Sequence, residues 1–203
     1  MRGFTFFDML MLLLVLMIVG IVAIPDALTR LAVREDVRAI RELQWIAVQE
    51  ARLLADRRID RDGDGRFEYG FLMDLARPLA SEGEAPPGAV RLGGFFLTVL
   101  LADATGSPIG ADRAADVDAD LAEGGFLAVA WPTEAGRSGI RVFAVNQGLL
   151  VAENLNEGGE FSGRSFPTDR LPPLESRVRE AFVPASSGRR RGFSLSPMCS
   201  KSA

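Results

Sequence analysis

The stretch GFTFFDMLMLLLVLMIVGIVAIP, residues 3–25, decides how this chain reads. From residue 4 to residue 24 only Thr5, Asp8 and Gly20 interrupt an apolar run. At about 1.5 Å per residue, a helix of that length matches a bilayer core about 30 Å thick, so residues 4–24 are expected to form a transmembrane helix. A secretory signal would open with several basic residues, carry a shorter apolar core and end in a small-x-small cleavage site. Here the polar leader is only Met1-Arg2-Gly3, and Ile24-Pro25-Asp26 suits a helix continuing outward. Arg2 favours a cytoplasmic amino terminus, which places the chain beyond Pro25 on the outer side.

Asp8 is the informative residue in that run, because a carboxylate at the centre of a bilayer costs at least about 2.5–3.5 kcal/mol. Two readings account for it. Asp8 sits near the membrane boundary and snorkels toward water or Arg2, or it is neutralised by a partner between packed helices. A free amine at Phe4 and a carboxylate at Asp8 are each expensive in lipid, and each can neutralise the other in a helix bundle.

The order Gly3, Phe4-Thr5-Phe6-Phe7-Asp8 and then unbroken apolar residues resembles the class III signal of type IV prepilins and of type II secretion pseudopilins. The resemblance implies cleavage by prepilin peptidase between Gly3 and Phe4 and methylation of the new amino-terminal Phe4. It also implies that Asp8, the fifth mature residue, pairs with the amine of a neighbouring subunit. The family usually has glutamate at that position and a longer leader than residues 1–3. Pro25 stands where the family often carries a proline, and proline removes a backbone donor and kinks a helix. The implied partners are other pilin-like subunits, in a homo- or hetero-polymer, together with prepilin peptidase and the inner-membrane assembly machinery. The implied location is the bacterial inner membrane, single-pass, with the head in the periplasm, and then a filament.

Beyond the span, residues 25–58 turn amphipathic. Leu28, Leu31, Val33, Val37, Ile40, Leu43, Ala47, Ala51 and Leu54 recur at three- and four-residue steps, and Arg30, Arg34, Asp36, Arg38, Arg41, Glu42, Glu50 and Arg52 fill the remaining face. Arg38 meets Glu42 four residues on. The whole helix is expected over residues 4–58, on the order of 80 Å long. Its first half is expected to line a filament core and its second half to pack under the sheet of the head.

Asp60-Arg61-Asp62-Gly63-Asp64-Gly65 ends the helix and begins as a calcium loop does, with carboxylates at alternate positions before a glycine turn. The twelfth position is Phe71, so Glu68 or Asp74 would have to supply the last acid. The reading is a calcium site on Asp60, Asp62, Asp64 and Glu68, or else a solvated glycine-rich turn. The resemblance extends through Phe67-Glu68-Tyr69-Gly70, since many pilin-like proteins follow such a turn with an aromatic and acidic stretch. Residues 71–79 are expected to form a short helix.

The head, residues 59–166, reads as an antiparallel sheet with one face on the amphipathic helix, giving an α+β fold of pilin-like form. Strands are expected at residues 95–101, 126–131, 140–145 and 149–152, the last two closing a hairpin around Asn146-Gln147-Gly148. Residues 82–88 form a connector rich in proline and glycine, and residues 103–125 an exposed loop. In that loop Asp112, Asp116, Asp118 and Asp120 alternate only in part and lack a turn glycine, which favours a solvated acidic loop over a second metal site. Residues 167–203 form a tail rich in proline, serine and arginine, expected to be disordered from residue 184 onward.

Composition narrows the function classes. The chain has 203 residues, a formal net charge of −4 and no histidine, so the commonest general base and metal ligand is missing. Cys199 is the only cysteine and forms no intrachain disulfide. Nothing concentrates basic charge as a nucleic-acid binder would, and Arg189-Arg190-Arg191 in the tail read as solvated. The expected function is structural and non-enzymatic. The alternatives are a single-pass anchored module that binds calcium or a ligand without polymerising, and a tethered hydrolase using Glu68 and Asp74.

Overall fold

The computed structural model describes residues 6–76, 79–139, 141–149, 151–156, 159, 161–164 and 183–184, with residues 22–29 and 183–184 described by backbone alone. One helix, α1 (Phe6–Ala55), runs through the first quarter of the chain. Most of its second half is Ala, Leu, Arg, Glu and Gln, which lose little rotamer freedom in a helix. The helix ends where Arg57 adopts a left-handed backbone with φ 55° and donates its N–H to the Leu54 carbonyl at 3.2 Å. Such a reversal satisfies the carbonyls that a helix end leaves open.

Among the described residues the head is an antiparallel sheet of seven strands: β1 (Ala89–Leu92), β2 (Phe95–Ala102), β3 (Pro108–Ile109), β4 (Leu127–Pro132), β5 (Arg141–Asn146), β6 (Val151–Leu155) and β7 (Val183–Pro184). The strand order is β1-β2-β4-β5-β6-β7, with β3 paired to the end of β2. The register sets Leu97 beside Ala130 and Ala130 beside Phe143, so these side chains share the face that meets α1. Ala39, Leu43, Ile46 and Ala47 of α1 pack there against Leu97, Val99, Leu101, Ala128 and Phe143. The opposite face is buried too. Phe96, Leu100, Leu127, Val129, Trp131 and Val142 form a second cluster with Phe161, and the Trp131 Nε1–H donates to the Gly163 carbonyl at 2.9 Å. β2 and β4 are therefore buried along their whole length rather than at alternate residues.

The α+β class and the antiparallel sheet on an amphipathic helix stand as expected. β2, β4, β5 and β6 lie within two or three residues of the four expected strands. The expected hairpin turn closes with Leu149 N–H donating to the Asn146 carbonyl at 3.0 Å, and its left-handed residue is Leu149 rather than Gly148.

Several expectations are corrected. Residues 71–76 form a single turn and not a helix: Asp74 accepts the Phe71 N–H at 2.8 Å and returns its own N–H to the Phe71 carbonyl at 2.9 Å. Residues 103–125 are not one exposed loop. They hold β3, a 3₁₀ helix (Ala111–Asp116) and α2 (Ala119–Gly124), with Ile109 and Ala122 buried. The turn into β3 is nucleated by Asp103, whose carboxylate accepts from Thr105 N–H, Thr105 Oγ1–H and Ser107 N–H. Val183–Pro184, inside the segment assigned to the tail, pairs with β6 as β7, while residues 185–203 lie outside the described residues.

The buried face of α1 also differs. Leu31, Val33 and Val37 are exposed, whereas Glu50, assigned to the polar face, is fully buried. Arg38 pairs with Glu82 at 2.5 Å rather than closing a helical pair with Glu42.

Candidate functional site

Two features carry the chemistry: the first part of α1 and the acidic loop that follows it. Within α1, the large apolar side chains of residues 6–21 are 46–83% exposed, an uncovered hydrophobic surface far larger than scattered surface leucines account for. Among the described residues no helix is long and apolar enough to cross a membrane. The apolar stretch with described side chains covers residues 6–21, short of the about 20 residues that cross a bilayer core. Asp8 lies in the first turn, where its charge complements the positive end of the helix dipole. Pro25 lies within the bounds of α1, its side chain outside the description, and Gly3 and Phe4 lie outside the described residues.

The loop after α1 folds on its own carboxylates. Asp60 Oδ1 accepts from Gly63 N–H at 2.7 Å and Asp60 Oδ2 from Gly65 N–H at 3.3 Å. Asp62 accepts from Asp64 N–H at 3.1 Å, and Asp64 from Arg66 N–H at 2.7 Å. Gly63 and Gly65 take φ of 77° and 88°, the left-handed region in which a side chain is strained. Glu68, only 1% exposed, is held at both oxygens by Arg61: Oε1 accepts the Arg61 N–H at 2.6 Å and Oε2 accepts from the guanidinium. The same guanidinium donates to the Tyr69 carbonyl at 3.2 Å and lies 3.9 Å from Asp74.

Carboxylate oxygens of Asp60, Asp62 and Glu68 lie within 4.8 Å of one another, as do those of Asp62, Asp64 and Asp120. The four acids expected to hold calcium are thus divided between two overlapping groups. Of the other acidic series, only Asp120 reaches this loop. Asp116 pairs with Arg113 at 2.8 Å, and Asp118 caps α2 by accepting from Leu121 N–H at 3.0 Å. Glu68 and Asp74 both stand beside Arg61, with Glu68 buried and Asp74 partly exposed.

Beneath the loop lies a residue that sequence reasoning placed on the wrong face. Glu50 is 0% exposed; its Oε2 accepts from Gly70 N–H at 3.0 Å and its Oε1 has no hydrogen-bond partner. Burial pushes its pKa up from 4.5 to about 8, against the opposing hydrogen bond from Gly70. Gly70 has no room for a side chain, since a Cβ would stand 2.8 Å from Leu53 Cδ2 and 2.9 Å from Ile59 Cδ1. Asp36 behaves similarly at the other end of the head, where burial raises its pKa to about 6 although Arg141 opposes the shift. The signal available in sequence was position: Glu50 falls seven residues after Leu43 and four after Ile46, on the same helical face.

The described side chains also line a concavity of about 340 Å³ between Pro86, Pro87, Leu100, Ile109, Arg113 and Arg164. Its two arginines are engaged with Asp116 and Glu84.

Fold and site together define an α+β protein with a long helix, apolar and uncovered at one end and packed on an antiparallel sheet at the other. The chain matches no family model, no curated protein and no solved structure.

Proposed function

We propose that this chain is a type IV pilin-like subunit, of a pilus or of a type II secretion pseudopilus, that polymerises through its amino-terminal helix. The observation that carries the reading is the asymmetry of α1. Residues 39–54 bury one face on the sheet, while residues 6–21 of the same helix expose apolar side chains. Leaving that surface in water costs on the order of 25 cal/mol for each Å² exposed, so it calls for a lipid or a helical partner. In this reading a membrane covers it before assembly and the helices of neighbouring subunits cover it afterwards.

Prepilin peptidase then cuts between Gly3 and Phe4 and Phe4 is methylated. Asp8, one turn into the mature helix, meets the amine of a neighbour's Phe4, and Pro25 lies at the outer end of the span. The head stands in the periplasm, and the inner-membrane assembly machinery draws the subunit into the filament.

Mass spectrometry of the protein from its own cells tests this. The expected mature chain begins at Phe4 and carries one added methyl group. A chain that retains Met1 and Arg2 overturns the reading in favour of a single-pass anchor.

A further inference from the structure

We infer that Arg61 is the resident cation of the loop after α1, so that this loop, despite its resemblance to a calcium loop, is ordered by an internal guanidinium and not by a metal. The inference concerns the loop alone and stands apart from filament assembly.

A buried carboxylate is stable only with a counter-charge or several hydrogen bonds. Glu68 has both from one residue, because the backbone N–H and the guanidinium of Arg61 take its two oxygens. Arg61 also reaches the Tyr69 carbonyl and stands beside Asp74, so a single side chain fastens the start of the loop to its end and to the next turn. One guanidinium nitrogen serves both Glu68 and Tyr69, while the other faces Asp74.

The other acids also bond within the chain. In a calcium loop the carboxylates at positions one, three and five turn inward to the ion. Here both oxygens of Asp60 and one oxygen each of Asp62 and Asp64 accept from the backbone N–H groups of Gly63, Gly65, Asp64 and Arg66, so bonds within the chain shape the turn. A divalent cation at Asp60, Asp62 and Glu68 would have to displace Arg61 from Glu68. A second base serves the outer group: Arg66 stands 3.8 Å from Asp64 and 3.4 Å from Glu123.

The test uses the full chain in detergent, with calcium and a chelator as probes and thermal unfolding and calorimetry as readouts. The wild-type Tm is expected to stay the same with millimolar calcium and with chelator. Arg61→Met leaves Glu68 buried without its partner, so its Tm is expected to fall and calcium to restore much of the loss, with calcium bound at least about tenfold more tightly than by wild type. Arg61→Met combined with Glu68→Gln is expected to regain stability without calcium, which separates loss of charge compensation from loss of packing. A wild-type Tm that rises with calcium and falls on chelation overturns the inference. An Arg61→Met chain as stable as wild type, or one that gains nothing from calcium, overturns it also. If Arg61→Met does not fold, the double variant and the wild-type titration decide the matter.

Discussion

Glu50 joins helix and loop through a proton. Its carboxyl is buried against Gly70 with one oxygen unpartnered, so the neutral form is the one the head accommodates. The folded pKa, about 8, lies above the ordinary 4.5. Stability from this group is therefore complete below about pH 4.5 and is lost as pH rises through about 8, with a slope of up to about 1.4 kcal/mol per pH unit. Asp36 adds a smaller loss of the same sign, between its ordinary 3.8 and about 6. The wild-type Tm is expected to fall from pH 6 to pH 8.5, and Glu50→Gln is expected to flatten that fall. Parallel Tm profiles for the two chains would show that Glu50 is not the titrating group.

At the scale of elements, α1 carries two apolar faces, and only one meets the sheet. Leu43 is fully buried among β2, β4 and β5 side chains, whereas Val37 is half exposed. Leu43→Ala is expected to cost about 2–5 kcal/mol by chemical denaturation, because a well-packed helix–sheet contact cannot collapse around the cavity. Val37→Ala is expected to change the same measurement by less than about 0.5 kcal/mol. The helical period was plain in the sequence, as was the hairpin at Asn146. The docked face was not, since Val33 and Val37 recur with the same spacing as Ala39, Leu43 and Ile46. β1, β3 and β7 were missed for a related reason: strands of two to four residues carry too little alternation to read, and they exist because β2 and β6 offer a hydrogen-bonding edge.

For the whole molecule, the proposed filament ties the exposed start of α1 to the head that follows it. Asp8→Ala is expected to abolish polymer formation in cells while leaving the circular dichroism of the detergent-solubilised chain unchanged; normal filaments from that variant would remove the assembly role given to Asp8. Chain order by itself determined the long helix, expected to end at residue 58 and found to end at 55, four of the strands and the glycine turn at Asp60 to Gly65. Each of these follows from local periodicity, a run of like residues or a turn residue, interactions that span a few positions. Tertiary structure alone decided that the central strands are buried on both faces and which face of α1, the one that carries Glu50, docks on the sheet. It also decided that Arg38 reaches Glu82 and which of the carboxylates gathered near the loop Arg61 neutralises. Those outcomes depend on where the sheet docks along the helix, and that docking brings together groups from distant parts of the chain, such as Arg38 and Glu82, whose juxtaposition no local pattern encodes.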